Sequence, residues 1–280
     1  MLRIFVDSGS SIKQEEKAHY GVEILPLHIT LGDKEYKDGI DLTMDVFYRA
    51  LIEEKLFPKT SLPSLGDAEA LVNHYTQMGD DVVILPISSG ISGTYNTLKM
   101  LFEENPKVRV IDTKSAVGGI RILVEEINRH REESLDQIEQ RLLSLIPRIR
   151  VCAIPETLDY LHRGGRLSSA AWAVGSMLQL KPLISLDSAD GTVKVLSKVR
   201  GLKKAMQALV SYLDECACDS AHSIVPSFTY QQENLESLIA MTDEKYHKQM
   251  TAFDNLDPAI ACHWGPNAFG YIFVAGNDHR

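Results

Sequence analysis

The chain has 280 residues, 44% hydrophobic and 24% charged, with a formal net charge of −9; it can fill a packed core, and its charge argues against coating nucleic acid. Its uninterrupted apolar runs stop at about six residues, and the stretch MLRIFVDSGS has no basic leader, so we expect a cytoplasmic protein with no signal peptide and no membrane span. Cys152, Cys216, Cys218 and Cys262 are scattered, as in a reducing compartment, and the pair Cys216/Cys218 lies in a helical pattern that reads as packing rather than a metal site.

The first half alternates strand and helix. LRIFV is a short strand that ends in the turn residues Asp7, Ser8 and Gly9. VEILPLHIT reads as the next strand, and Met44, Phe47, Tyr48 and Leu51 recur at helical spacing behind Thr43 as a cap. Ser64 and Asp67 have the spacing of a helix start before DAEALVNHYTQM. DVVILPI is a strand, TYNTLKMLFEE a helix and VRVID a strand; Ile120, Leu123, Val124 and Ile127 mark the helix behind it. Such alternation predicts βαβ units around a mainly parallel sheet.

The pattern changes after Pro147. RVCAIP reads as a strand and ETLDYLHR as a short helix, while PLISLD and TVKVLSKV straddle the hairpin signal Ala189-Asp190-Gly191. Leu202, Ala205, Met206, Leu209 and Leu213 predict an amphipathic helix, and YQQENLESLIAMTDEKYHKQM a single long one. The expected fold is therefore α/β in two domains: a βαβ domain over residues 1–150 and an α+β domain with antiparallel pairing over 151–280.

In an open parallel sheet, ligands sit beyond the carboxyl ends of the strands, which places Asp7-Ser8 and the loop ISSGISGT on one rim facing a cleft. Ser92 and Gly93 open a helix, where free amides and the dipole favour an anion; alternatively Ser88, Ser89 and Ser92 only satisfy the helix start. KTSLPSLGD, with Thr60, Ser61 and Ser64 around Pro63, reads by itself as a capped turn. ACHWGPNAFG puts His263 in a Gly/Pro-rich bend, where a lone histidine is most simply a satisfied loop residue. In DYLHRGGRLSS, Gly164 and Gly165 end a helix and leave Arg166 free to grip a carboxylate or phosphate, or to serve as a solvated cap. Arg200, in KVRGLKKA, is weighed the same way. No nucleophile elbow, phosphate-binding Walker loop or clustered metal-ligand signature is present in the sequence.

Six segments, DSGS, TSLPS, ISSGISGTYN, DYLHRGGR, KVRGLKKA and HWGP, occur in an order and spacing that resemble the DegV family of bacterial fatty-acid-binding proteins. The resemblance runs through essentially the whole chain. It implies two domains that enclose one long-chain fatty acid in an interior tunnel, and a role in phospholipid metabolism as the acyl-carrying subunit of a fatty acid kinase. By the same resemblance Thr60, Ser92 and His263 hold the carboxylate, Ser61 and Gly93 line the head group, and Arg166 and Arg200 face an ATP-binding kinase subunit or the transferring phosphoryl group. No cofactor, metal or nucleic acid is implied, and membrane contact is at most transient. Leu62, Trp264 and Asn267 depart from the family pattern, which has a polar residue, a smaller residue and a glycine there. Two other readings of the residues stay open: a serine acyl hydrolase or transferase using Ser92 and His263, and a binder of a small phosphorylated metabolite.

Overall fold

The computed structural model describes residues 1–175 and 180–276. Its first half supplies strands β1 (Leu2–Asp7), β2 (Val22–Leu25), β3 (His28–Leu31), β4 (Lys34–Lys37), β5 (Lys59–Ser61), β6 (Asp81–Leu85) and β7 (Val108–Val110). The second half supplies β8 (Ile149–Ile154), β9 (Leu180–Leu186), β10 (Val193–Arg200), β11 (Val225–Phe228), β12 (Asp254–Asn255) and β13 (Phe269–Val274). Among the described residues these form a parallel sheet in the order β2-β1-β6-β7, a sheet in the order β10-β9-β8-β13-β11-β12 and a small sheet β4-β3-β5. The second is antiparallel except where β12 joins β11, and the small sheet is wholly antiparallel. The fold is thus α/β with the parallel and antiparallel sheets in the halves expected.

Burial explains the sequence pattern. Val82–Leu85 of β6 are all buried, the continuous apolar run that a central parallel strand needs. The helix Gly118–Arg129 buries Ile120, Leu123, Val124 and Ile127 and also Ile122 and Arg121, because it is packed between two sheets. One cluster of buried side chains accordingly runs from Ile4 and Val83 through this helix to Val151, Val225 and Ile272.

Three local expectations change. VEILPLHIT is two strands, not one: it breaks at Pro26, so β2 joins the parallel sheet while β3 pairs with β4 and β5. TSLPS is not simply a turn, since Thr60 and Ser61 belong to β5, where Thr60 lies opposite Ile29. The long C-terminal helix is broken into Glu233–Met241 and Glu244–His247, because Asp243 leaves helical geometry and its carboxylate accepts from Lys245 N at 2.9 Å. The expected hairpin forms: β9 and β10 pair across Asp190 and Gly191, the latter at φ 71°.

Candidate functional site

The loop after β6 divides its three serines among separate tasks. Asp7, buried at the end of β1, accepts from Ile87 N at 2.9 Å and from Gly9 N at 3.0 Å, which anchors the loop from beneath. Ser88 Oγ donates to the carbonyl of Gly191 at 2.9 Å, tying the loop to the tip of the β9–β10 hairpin. Ser89 is held by the carboxylate of Asp112, whose other oxygen accepts from Ser89 N at 3.0 Å. Ser92 remains at the surface of a cavity, with its Oγ accepting from Thr94 N at 3.3 Å and 2.9 Å from Thr94 Oγ1. Asp7 and Ser8 therefore do not face the cleft as the rim argument expects. Both are buried, and Ser8 Oγ accepts from Leu27 N.

Residues 60 and 263 meet because the helix Pro258–Trp264 packs on the small sheet, burying Ile29, Ala261 and Cys262 in one cluster. His263 lies in the last turn of that helix, not in a bend, and Gly265 ends it at φ 74°. His263 Nε2 and Thr60 Oγ1 are 2.8 Å apart. Burial pushes the imidazole down to about 3, with the Arg166 guanidinium acting in the same direction, so the ring is neutral at physiological pH.

Arg166 follows Gly165, which takes φ 76° and lets the chain turn back after the helix Asp159–Arg163. Its guanidinium is half-buried rather than exposed: Nε donates to Ile91 O at 2.9 Å and Nη1 to Gly164 O at 2.6 Å. Burial lowers its pKa from the ordinary arginine value.

Thr60, Ser61, Ser92, Gly93, His263 and Arg166 all line one cavity of about 230 Å³. Its other walls are mainly aliphatic, with Leu27, Leu62, Ile87, Ile91, Leu161, Leu186, Val193 and Ile260 beside Trp264. Arg166 is the one charged side chain among the described residues that line it. The lining combines hydroxyls, a neutral imidazole and one cation with a mainly aliphatic remainder. A group with an anionic head and a hydrocarbon body meets both demands. Arg200 is not part of the lining; it is exposed at the end of the edge strand β10, opposite Leu180. Of the residues that depart from the family pattern, Leu62 and Trp264 line the cavity and Asn267 does not. Asn267 sits at φ 60°, a conformation that asparagine tolerates better than most residues.

The Ser/His alternative lacks its central contact. His263 Nε2 faces Thr60, Ser92 is engaged by Thr94, and an imidazole pushed down to about 3 is a weak base. Sequence reading did not anticipate the walls contributed by Ala116, Ala259 and the β9–β10 hairpin, since isolated small or aliphatic residues carry no local signal of facing a cavity. No group of three or more His, Cys, Asp or Glu suited to a metal ion occurs among the described residues, nor is any of their helices long and apolar enough to cross a membrane.

Parallel and antiparallel sheets with a cavity lined by both polar and aliphatic side chains are the frame of an α/β protein built to hold an amphipathic ligand. The sequence profile described as "Uncharacterised protein, DegV family" matches residues 1–276, and the chain belongs to the DegV family. It is 31% identical over 277 residues to a DegV domain-containing protein of Caldanaerobacter subterraneus, covering 97% of this chain and 98% of that one. Among solved structures, it resembles the fatty acid binding DegV family protein of Streptococcus agalactiae with a TM-score of 0.88 and 27% identity over 99% of both chains. It also resembles a stearic acid-binding protein of Eubacterium ventriosum, with a TM-score of 0.82 and 26% identity over 98% of both chains.

Proposed function

We propose that this protein binds one long-chain fatty acid in the cavity between its two halves, residues 1–150 and 151–280, and presents the carboxylate to a separate ATP-dependent kinase subunit. The observation that carries the reading is that Thr60, Ser92, His263 and Arg166 line one cavity whose remaining walls are mainly aliphatic. Thr60, Ser92 and His263 hold the carboxylate, with Ser61 and Gly93 lining it. Each buried methylene of the tail contributes about 0.8 kcal/mol, so the acyl chain supplies the affinity while the polar end fixes which carbon is presented.

Arg166, at the wall, and Arg200, on the exposed edge of β10, face the kinase subunit or the phosphoryl group being transferred. The protein on this account has no complete active site of its own. Likeness to relatives described as fatty-acid-binding proteins supports the ligand class, and aliphatic walls suit an acyl tail better than a small phosphorylated metabolite. The test is to incubate the lipid-loaded protein with ATP, with and without the ATP-binding subunit of a bacterial fatty acid kinase. Acyl phosphate forms only in the mixture; formation by this protein alone, or none in either, would overturn the kinase part of the reading.

A further inference from the structure

His263 has two nitrogens and one visible partner. Nε2 faces Thr60 Oγ1 at 2.8 Å, while Nδ1 is buried with no hydrogen-bond partner. The neutral ring carries one proton, and its position decides what Thr60 can do. A proton on Nδ1 would leave a buried N–H orphaned, whereas a bare Nδ1 leaves only an unused acceptor, the rarer and the commoner defect respectively. The proton therefore belongs on Nε2, where it is donated to Thr60 Oγ1. The Thr60 hydroxyl then accepts from the ring and keeps its own hydrogen for the cavity, where it is a donor to a carboxylate.

What keeps Nδ1 in this place is an absence of side chain. A Cβ added at Gly164 would lie under 3.0 Å from His263 Nδ1 and 3.0 Å from its Cε1, and 2.9 Å from the carbonyl oxygen of Tyr160. Gly164 has φ −74° and ψ −7°, a conformation any residue adopts, so its backbone does not require glycine. The nearest atom that such a Cβ would meet is the imidazole nitrogen. We propose that Gly164 is a positioning residue for the head-group site: the space of its missing side chain holds His263 with Nδ1 bare and Nε2–H on Thr60, and so turns the Thr60 hydroxyl hydrogen toward the ligand carboxylate.

The inference rests on the fatty-acid reading only for the identity of the ligand. A long-range 1H–15N spectrum of the ligand-free protein tests it without any ligand. The expected His263 signals are those of the Nε2–H tautomer with unprotonated Nδ1; an Nδ1–H tautomer would overturn the proposal. A cycle of Gly164→Ala and His263→Ala, read as stearic acid affinity of delipidated protein, tests the positioning itself. Gly164→Ala is expected to weaken binding about tenfold when His263 is present and less than about twofold when residue 263 is alanine, the coupling typical of residues in contact. The contact with Tyr160 persists in both backgrounds and cancels. Equal losses in the two backgrounds, or no loss with His263 present, would overturn it. A wild-type protein that binds no stearic acid would refute the fatty-acid reading instead, and the tautomer would still show whether Nε2–H faces Thr60 as the proposal requires.

Discussion

Thr60→Val removes one hydroxyl at nearly constant shape and leaves His263 in place. In the ligand-free protein it strips Nε2 of its partner, at a cost of about 1–3 kcal/mol for a buried polar group left unpaired. With a fatty acid present it also removes a hydrogen bond to a charged group, about 1.5–3 kcal/mol, which corresponds to a loss of roughly ten- to a hundredfold in affinity. The aliphatic walls are untouched, so the tail still binds. Displacement of a fluorescent fatty acid from delipidated protein measures the affinity, and urea unfolding of the empty protein measures the stability. An affinity within twofold of wild type would refute the assignment of Thr60 to the carboxylate, and unchanged stability would refute the partnership with His263.

Other outcomes follow from the same geometry. Since His263 is pushed down to about 3 in the folded protein, the unfolded chain binds a proton that the folded one refuses, so this contribution is complete above pH 6.5 and lost as pH falls toward 3. The thermal midpoint advantage of wild type over His263→Gln should shrink across that window; a constant gap would contradict it. The comparison must be made against the variant because Asp38, raised to about 7 by burial and by Asp257, acts in the opposite sense, its contribution being lost as pH rises through that value. Gly90→Ala would drive a methyl into the backbone of Gly191, push the hairpin off the loop and break the Ser88 bond, and we expect about 1–3 kcal/mol of destabilisation by urea titration. Arg166→Ala should weaken fatty-acid binding as well as phosphorylation, because the guanidinium lines the cavity; unchanged retention would return it to a purely partner-facing role.

The sequence carries the architecture well where periodicity is unambiguous. The apolar run Val82–Leu85, the stripe Ile120, Leu123, Val124 and Ile127 and the turn Asp190-Gly191 each specify their element locally. Pro26 and Asp243 show where it fails: each breaks an apolar pattern in a way that tertiary pairing or a cap decides. Thr60 and His263 illustrate the harder loss. Separated by 203 positions, each is unremarkable by itself, and only packing of the C-terminal helix on the small sheet brings them within 2.8 Å. The serines of the loop were visible as a group, but not their division between hairpin, Asp112 and cavity, which depends on partners 23 and 103 positions away. Arg166 reads as an exposed turn residue because glycines precede it, yet the left-handed Gly165 folds its side chain back onto Ile91.

Whether the cavity holds a fatty acid is decided by mass spectrometry of a solvent extract from the purified protein, with native mass spectrometry giving the stoichiometry. One fatty acid per chain is expected, its acyl length read from the mass. Protein that is empty and takes up no added stearic acid would contradict it.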